Sequence, residues 1–425
     1  MTARTPSAVP LPVVLLAPAT VGVARWVNPA RWPWWVRVLA VCVLARAFSA
    51  VVLVVVARSQ AANTWTSAAP SYLQYVGNMW DGMWYRVIAT QGYPAHLPIG
   101  IDGSVRQNAW AFYPLFPMLV RGLMAATGAS WHVVAPLLAL VLGAAAMVVV
   151  YRVVQVGAPR AVAVRPGLPL ATVVLVSFFP SAPVFQVAYT ESLALLLITS
   201  GLLLVIRRRY WLAVLVVVAL GLTRAVALPM AVVVLVHAAS RWRAARRGED
   251  RIDRRDVVGL GALLVAAGVS GVAWPLVCAA VTGRADAYLL TQAAWRARGD
   301  LLPVMPWWDI AIWRFGTWGP LLLVVVLVVF VLLLTCSSAR RLGPELLAWP
   351  AAYLAYLVAV IEPGTSLVRF LLLAFPLGAV TAGMVPAPVA RRRFWLAAVV
   401  VVMASFQVGW LWWLWRIVPP SGWPP

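Results

Sequence analysis

Long apolar runs separated by short polar segments dominate the chain from residue 36 onward. A run of roughly 18 or more apolar residues is long enough to cross a bilayer as a helix. The runs lie at 36–57, 132–151, 168–180, 190–206, 210–222, 224–238, 257–281, 318–337, 345–361, 367–387 and 394–416. This pattern predicts an all-α, polytopic membrane protein of about 11 (roughly 9–12) transmembrane helices.

Three of these runs, 168–180, 210–222 and 224–238, are short for a full crossing. Non-helical backbone is tolerated at membrane depth only where protein covers it or where it lines a cavity. We therefore expect broken or re-entrant helices there, or the merging of two runs into one span.

Arginines between the apolar runs set the expected orientation. The chain has 34 Lys+Arg residues, all of them arginine, against 12 Asp+Glu, so its formal net charge is +22. With a cytoplasmic N-terminus, 18 arginines fall in the inner loops and eight in the outer ones, in agreement with the positive-inside rule. We expect a multi-pass protein of the plasma membrane with an extracytoplasmic active site. The long outer loops are 59–131 and 282–317, and a basic loop at 239–256 faces the cytoplasm.

Composition predicts a single integral membrane domain over residues 1–425, because 63% of the residues are hydrophobic. The apolar segment Val9–Val23 contains three prolines, and we expect a cytoplasmic or interfacial lead-in there, not a cleaved signal. Arginines in short runs between spans are not the basic face of a nucleic-acid-binding protein, so no nucleic-acid partner is expected.

Cofactor motifs are not visible in the sequence. The three cysteines and three histidines are scattered without metal-ligand spacing, so no metal site is expected. A nucleotide-binding P-loop and a GxGxxG fingerprint are both missing. We therefore expect a function that needs no bound cofactor.

The first outer loop contains a carboxylate among aromatic residues. In the stretch Asn78–Tyr93 (NMWDGMWYRVIATQGY), the side chains of Trp80, Trp84 and Ile88 follow helical spacing. This predicts an amphipathic helix lying flat on the bilayer. Asp81 falls at its start, where a carboxylate either caps the helix or takes part in proton transfer.

A second aromatic stretch of the same loop, Asn108–Pro117 (NAWAFYPLFP), is too rich in proline for a simple span. We expect a wedge that returns toward the membrane. Anchoring at the membrane interface is the simpler interpretation of its aromatic residues.

Charged residues also interrupt the later apolar runs. Glu191, in Tyr189-Thr190-Glu191-Ser192, begins one run, and Arg224 lies within apolar sequence. Glu362 and Arg369 repeat the arrangement at another outer mouth. Charges at membrane depth are costly and therefore pair with each other or face a polar cavity.

These charges have two interpretations. Each glutamate forms a structural ion pair with the arginine that follows it, or the arginines hold an anionic head group, since guanidinium matches phosphate geometry. Arg46, in the middle of the first span, either faces the same polar cavity as Arg224 and Arg369 or forms a pair inside the bundle.

Together these segments resemble a known family. WDGMWYRVIATQGYP, AFYPLFPMLVR, YTESLALLL, GLTRAVAL and RFLLLAFPL occur in the order of the motifs of the phosphatidylinositol-glycan class V proteins, GPI mannosyltransferase II. The resemblance covers about residues 34–380, and its first two motifs are the specific ones. Tyr113, Ala225 and Phe370 stand where the family usually has Phe, Ser and Tyr.

The resemblance implies a GT-C glycosyltransferase, a multi-span enzyme that transfers mannose from a polyprenyl-phosphate donor on the non-cytoplasmic face. Asp81 is then the catalytic base of an inverting transfer. The expected substrate-binding residues are Trp80, Trp84, Tyr85, Arg86, Asn108, Tyr113, Tyr189, Glu191, Arg224, Glu362 and Arg369. For a chain of bacterial composition, we expect a phosphatidylinositol-type glycolipid, a lipoglycan or a protein as the acceptor.

The chemistry of such a transfer fits the sequence. Direct displacement at the anomeric carbon needs one base to take the proton of the acceptor hydroxyl, whereas most glycosidases use two carboxylates. The departing polyprenyl phosphate is an anion, which Arg224 or Arg369 can stabilise as charge develops.

Two other functions suit a polytopic chain with buried arginines. One is a transporter or flippase of polyprenyl-linked or lipid-linked sugars, and the other is a non-catalytic scaffold. A transporter concentrates ionisable groups near the bilayer midplane, whereas here they collect at the outer mouths of several spans. That distribution favours an enzyme.

The expected orientation can be tested with Gly103→Cys, which places a thiol in the first outer loop. An impermeant thiol reagent added to intact cells should label this variant above the wild-type background. Labelling that appears only after lysis would invert the orientation.

Overall fold

Helices joined by short irregular segments form nearly all of the structure, a computed structural model that describes residues 31–296, 303–385 and 388–418. The expected lead-in at Val9–Val23 lies outside these residues. The chain divides into two units, Met1–Arg37 and Val38–Pro425. The first unit contributes only the opening turn of a helix to the described residues. The other described helices belong to the second unit.

The first half of the described chain contains nine helices. They are α1 (Trp34–Arg58), α2 (Tyr72–Asn78), α3 (Asp81–Gln91), α4 (Leu115–Thr127), α5 (Trp131–Gly157), α6 (Pro159–Val164), α7 (Leu168–Ser177), α8 (Glu191–Ile206) and α9 (Tyr210–Gly221). Short 3₁₀ segments lie at Ala109–Ala111 and Ala182–Gln186.

The second half of the described chain contains another nine helices. They are α10 (Pro229–Arg246), α11 (Arg254–Thr282), α12 (Ala287–Arg296), α13 (Met305–Phe315), α14 (Gly319–Thr335), α15 (Pro344–Val360), α16 (Leu367–Leu371), α17 (Pro376–Gly383) and α18 (Val389–Trp410). Further 3₁₀ segments lie at Gly316–Trp318 and Ala339–Arg341, and a π-helical turn covers Leu411–Trp415.

Five helical stretches are long and apolar enough to cross a membrane, namely Trp34–Arg58, Trp131–Gly157, Arg254–Thr282, Met305–Arg341 and Val389–Trp415. Five shorter apolar helices accompany them: α4, α7, α8, α9 and α15. Among the described residues none forms a strand of a sheet. The predicted class, an all-α multi-pass membrane protein, is confirmed, and the number of spans stays a prediction.

The short apolar runs are short helices that end in irregular backbone. α9 has 12 residues, which gives a length of about 18 Å, less than the roughly 30 Å of the hydrocarbon core. The run at 367–387 divides into α16 and α17, with an irregular segment between Leu371 and Pro376. The residues between Leu371 and Pro376 are buried by neighbouring helices, as backbone that is not helical requires in a membrane.

The single amphipathic helix predicted over 78–93 is wrong at its beginning. α2 ends at Asn78 and α3 begins at Asp81, because Trp80 has a φ of 54° and a ψ of −121°, which no helix accommodates. α3 buries Gly82, Tyr85, Ile88 and Ala89 against the protein, whereas Arg86, Thr90 and Gln91 on its other face are exposed. Its position flat on the bilayer stays a prediction.

The aromatic wedge at 108–117 is likewise packed against protein and is not an interfacial anchor. Trp110 and Phe116 are fully buried. The indole of Trp110 donates to the carbonyl of Pro94 (3.0 Å), and the indole of Trp274 in α11 donates to the carbonyl of Trp110 (3.1 Å). Since a buried indole N–H needs an acceptor, these bonds fix the loop between α3 and α4 against α11.

The loop at 239–256, expected to be solvated along its length, is helical up to Arg246 and again from Arg254. Arg241 is buried and contacts Asp250 (2.9 Å), Asp256 (2.8 Å) and the hydroxyl of Tyr210 (2.9 Å). Its guanidinium holds the pKa of Asp250 well below the usual range of an aspartate. Arg241 thus ties α9, α10 and α11 together.

From this we predict that Arg241→Gln destabilises the protein. Removing one partner of a buried ion pair costs about 3–5 kcal/mol, and thermal unfolding in detergent measures the loss. The contribution of the pair is present above the unfolded pKa of about 3.9 and is lost as the pH falls below it. Arg208→Gln is the matched control, because Arg208 also contacts Asp250 but is half exposed, and exposed pairs contribute about 0–1 kcal/mol. Equal, small effects of both variants would contradict the assignment.

Candidate functional site

Four charged residues from separate parts of the chain meet in one buried place. They are Asp81, Glu191, Arg224 and Arg369, and we call them the charged network. Arg369 forms ion pairs with Asp81 and, through Nε at 3.3 Å, with Glu191. Arg224 pairs with the same Oε1 oxygen of Glu191 at 2.5 Å. Two cations therefore face two anions, which offsets much of the cost of burying them.

Each member of the network lies at a helix end or in a break between helices. Asp81 and Glu191 are the first residues of α3 and α8. Arg224 lies in the irregular segment between α9 and α10, and Arg369 lies in the short helix α16. Helix N-termini carry a partial positive charge, so both carboxylates sit where an anion is favoured.

The backbone around Asp81 determines where its carboxylate points. The positive φ of Trp80 is costly for a residue with a large side chain, and it turns the chain sharply into α3. The N–H of Asp81 donates to the hydroxyl of Tyr189 at 3.2 Å, and the carboxylate accepts from Arg369. The carboxylate is therefore engaged by Arg369, and no side-chain cap accompanies the start of α3.

Gly82 lets α3 approach α2 closely. A Cβ on Gly82 would lie 2.8 Å from the carbonyl oxygen of Gly77, which is too close for any real side chain. The indole of Trp131 donates to this same carbonyl at 2.8 Å, so its position is fixed. Gly82 was not among the predicted site residues, although glycine inside a helix signals close packing.

The segment Tyr189-Thr190-Glu191 supplies three consecutive contacts. The ring of Tyr189 lies 4.9 Å from the guanidinium carbon of Arg369. The hydroxyl of Thr190 accepts from Arg224 at 3.2 Å and contacts the hydroxyl of Tyr85 at 3.2 Å. The prediction named the first and third of these residues but not Thr190, whose hydroxyl contacts both Arg224 and Tyr85.

The break that carries Arg369 is held by hydrogen bonds from surrounding side chains. Tyr353 donates to the carbonyl of Phe370 (3.0 Å), and Ser181 donates to the carbonyl of Val368 (3.0 Å). The ring of Phe370 lies beneath both arginines, 5.1 Å from the guanidinium carbon of Arg224 and 5.3 Å from that of Arg369. A phenyl ring provides this cation–π face without a hydroxyl, so Phe370 keeps the contact at a position where the resembling family has tyrosine.

The two carboxylates differ in their access to solvent. The side chain of Asp81 is 19% exposed, whereas that of Glu191 is 1% exposed. Asp81 is therefore the carboxylate that an entering molecule can reach. Glu191 lies behind it, between the two arginines.

The other predicted site residues lie around the network. Tyr85 is buried beside Thr190, and the indole of the partly buried Trp84 stacks on Phe112. Arg86 is exposed and donates to Asn78 at 3.3 Å. The ring of Trp80 packs edge-on against Trp65, and the hydroxyl of Tyr113 contacts that of Tyr288 at 3.3 Å.

Asn108 and Arg46 have partners outside the charged network. The amide of Asn108 contacts Arg106 and Thr291, and Glu362 is half-buried just after α15. Arg46 donates to the carbonyls of Ala182 and Ser177, so it binds inside the bundle, the second of its two interpretations. Within the described ranges, no three His, Cys, Asp or Glu side chains are grouped as a metal site.

Two solved structures share similarity with this chain at low sequence identity. The archaeal oligosaccharyltransferase AglB from Archaeoglobus fulgidus, in complex with an inhibitory peptide and a dolichol-phosphate, is 14% identical with a TM-score of 0.49. The alignment covers 92% of this chain and 57% of that one. The oligosaccharyltransferase of the same organism tethered to an acceptor peptide is 12% identical, with a TM-score of 0.45 over 91% and 56% of the two chains.

The chain thus spans little more than half the length of the oligosaccharyltransferases it resembles. No family model and no curated protein matches it.

Proposed function

We propose that this protein is a membrane glycosyltransferase of the GT-C type. It transfers a hexose from a polyprenyl-phosphate donor to a lipid or glycolipid acceptor at the extracytoplasmic face, with inversion. The order of its sequence motifs favours mannose as this hexose. The observation that carries the proposal is the charged network, which brings an accessible carboxylate against an arginine in an otherwise apolar bundle.

Asp81 acts as the general base in this proposal. Direct displacement requires one group that takes the proton from the attacking hydroxyl of the acceptor as the bond to the anomeric carbon forms. Asp81 meets this requirement by its partial exposure and its fixed position at the start of α3. Glu191, which is buried between two arginines, is a positioning residue.

Arg369 and Arg224 stabilise the departing phosphate. When the bond between the sugar and the phosphate breaks, the polyprenyl phosphate leaves with the electron pair and gains negative charge, which guanidinium groups stabilise by bidentate hydrogen bonds. Arg369 also pairs with Asp81, so a bound phosphate competes with Asp81 for the same guanidinium. Donor binding therefore releases the base, and the acceptor is activated only when a donor is present.

Transport of a lipid-linked sugar is the second candidate function. It is favoured by the breaks at 222–228 and between α16 and α17, since transporters bind substrates at discontinuous helices. Reconstitution into vesicles separates the two functions. A transferase forms a new glycosidic bond, whereas a transporter moves the labelled donor across the bilayer unchanged.

We predict that Asp81→Asn keeps the fold and loses transfer from polyprenyl-phosphate mannose by about 10²–10⁴-fold, the usual contribution of a general base. The amide still accepts a hydrogen bond from Arg369 but takes up no proton. Transfer is measured in membranes with labelled donor, and the melting temperature reports the fold. Glu249→Gln is the matched control, because it removes one exposed carboxylate from the predicted cytoplasmic side. Wild-type turnover by Asp81→Asn would refute the assignment of the base.

Arg369→Lys should raise the apparent KM for the donor about tenfold, while the apparent KM for the acceptor changes little. Lysine keeps the positive charge but loses the planar, bidentate geometry that matches phosphate. Arg369→Ala should raise the donor KM further and should also leave the acceptor KM little changed. Arg121→Gln, which alters an exposed arginine outside the network, should change neither KM. An unchanged donor KM together with an altered acceptor KM contradicts the role assigned to Arg369.

A further inference from the structure

The segment Leu411–Ile417, which follows α18, packs against Tyr189, and we call this segment the aromatic brace. Its first five residues, Leu411–Trp415, form a π-helical turn, a rare geometry that is often found at functional sites. Leu411 and Trp415 are fully buried, whereas Trp413 is 75% exposed. The brace lies outside residues 34–380, to which the sequence resemblance is limited.

The π-helical turn determines where the ring of Trp415 lies. In an α-helix, residues five apart point about 140° away from each other around the axis. The i→i+5 hydrogen bonds of a π-turn bring such residues to one face instead. The rings of Trp410 and Trp415 are accordingly in contact, with their centroids 5.7 Å apart. A continued α-helix would separate these two rings.

α18 is held in its orientation by a polar side chain three positions before Trp410. Gln407 is fully buried. Its amide donates to the carbonyl of Phe179 (3.1 Å) and accepts from the hydroxyl of Ser49 in α1 (2.9 Å). A buried amide with two fixed partners resists rotation and sliding of its helix. The brace therefore starts from a fixed position.

Two further anchors hold the backbone of the brace itself. The amide of the buried Gln60 donates to the carbonyl of Ile417 (2.8 Å) and accepts from its N–H (3.0 Å). The hydroxyl of the buried Tyr75, in α2, donates to the carbonyl of Trp415 at 2.8 Å. Because buried polar groups are costly to leave unpaired, these bonds keep the backbone from Trp415 to Ile417 in place.

The ring of Trp415 packs against Tyr189, which contacts both partners of the ion pair between Asp81 and Arg369. The ring centroids of Trp415 and Tyr189 lie 5.4 Å apart. The hydroxyl of Tyr189 accepts from the N–H of Asp81 at 3.2 Å, and its ring lies 4.9 Å from the guanidinium carbon of Arg369. A rotation of the Tyr189 side chain would break both contacts. Packing of the two aromatic rings opposes that rotation.

We propose that the aromatic brace is a positioning element of the active site, in which Trp415 holds the side chain of Tyr189 and thereby sets Asp81 against Arg369. This inference rests on the proposed function. Trp415 touches no reacting group and acts only through Tyr189. Its placement matters because a shift of about 1 Å at a catalytic group can cost about 10²-fold in rate.

The ring of Trp415 performs this role, and its N–H does not. In the part of the chain that the structure describes, the buried Nε1 of Trp415 has no acceptor. Phenylalanine at this position keeps an aromatic face against Tyr189 and leaves no donor unpaired. Leucine keeps an apolar side chain there but removes the ring. Trp415→Phe and Trp415→Leu therefore separate the aromatic contact from burial alone.

Hydrogen exchange of the Asp81 amide tests the brace without an assay of transfer. This amide donates to Tyr189, so its exchange, measured on the full chain in detergent by fragmentation mass spectrometry, reports on the hydroxyl. Trp415→Leu should speed the exchange about five- to tenfold, the effect of losing one hydrogen bond. Tyr189→Phe, which removes the acceptor, should speed it at least as much. Adding Trp415→Leu to Tyr189→Phe should cause no further increase, because both changes act on the same bond.

Three variants complete the exchange experiment. Trp415→Phe should exchange as the wild type does, because it keeps the aromatic contact. Trp413→Leu, which alters the exposed face of the same turn, is the matched control and should also leave the exchange unchanged. Tyr75→Phe removes only the bond to the Trp415 carbonyl and should speed the exchange about twofold. This mild variant provides the decisive measurement if Trp415→Leu does not fold.

Kinetics connect the brace with the proposed transfer. If the wild-type chain transfers sugar, Trp415→Leu should lower kcat about 10- to 100-fold per folded molecule and leave the acceptor KM unchanged. Trp415→Phe should restore kcat to near the wild-type value. A contact that only stabilises the fold would lower the melting temperature and leave the kcat of folded molecules unchanged. Arg241→Gln, which alters an ion pair outside the site, should behave in that second way.

Two results would overturn the proposal. One is unchanged exchange of the Asp81 amide in Trp415→Leu, or in Tyr75→Phe if the first variant does not fold. The other is faster exchange with an unchanged kcat, which would make the brace a structural contact only. Faster exchange in the variants of a chain whose wild type transfers no sugar would keep the link from Trp415 to Asp81 and reject the transferase.

Discussion

The ion pairs of Arg369 with Asp81 and Glu191 are the interaction on which the candidate site depends. A guanidinium in an apolar bundle is tolerated only when carboxylates and hydrogen bonds surround it. Meeting that requirement brings together the start of α3, the start of α8 and the short helix α16. The helix breaks at these points are therefore part of the site, since each one places a charge that a continuous helix would carry elsewhere.

The same contacts connect structural stability with chemistry. Asp81 pairs with Arg369, and in the proposed reaction a donor phosphate exchanges with Asp81 for this guanidinium. Such an exchange keeps the number of unpaired charges low at every step.

The sequence predicted the helices well and the pairing of the charges less well. Runs such as 132–151 and 257–281 became α5 and α11 because hydrophobic length is a local property. The Glu191–Arg224 pair was among the predicted alternatives, but Arg369 contacts a residue 288 positions away, and no local pattern encodes such a contact. The helix break at Trp80 was missed because a positive φ at a tryptophan contradicts its ordinary preference. The Asn108–Thr291 contact is equally non-local.

Mass spectrometry of envelope glycolipids tests most directly whether the charged network performs sugar transfer to an envelope lipid. Cells that lack the gene are complemented with either the wild-type chain or Asp81→Asn. We expect one glycolipid to lose a hexose in the deletion strain, to regain it with the wild-type chain, and not to regain it with Asp81→Asn at equal expression. Full restoration by Asp81→Asn, or identical glycolipids in all strains, would refute this function.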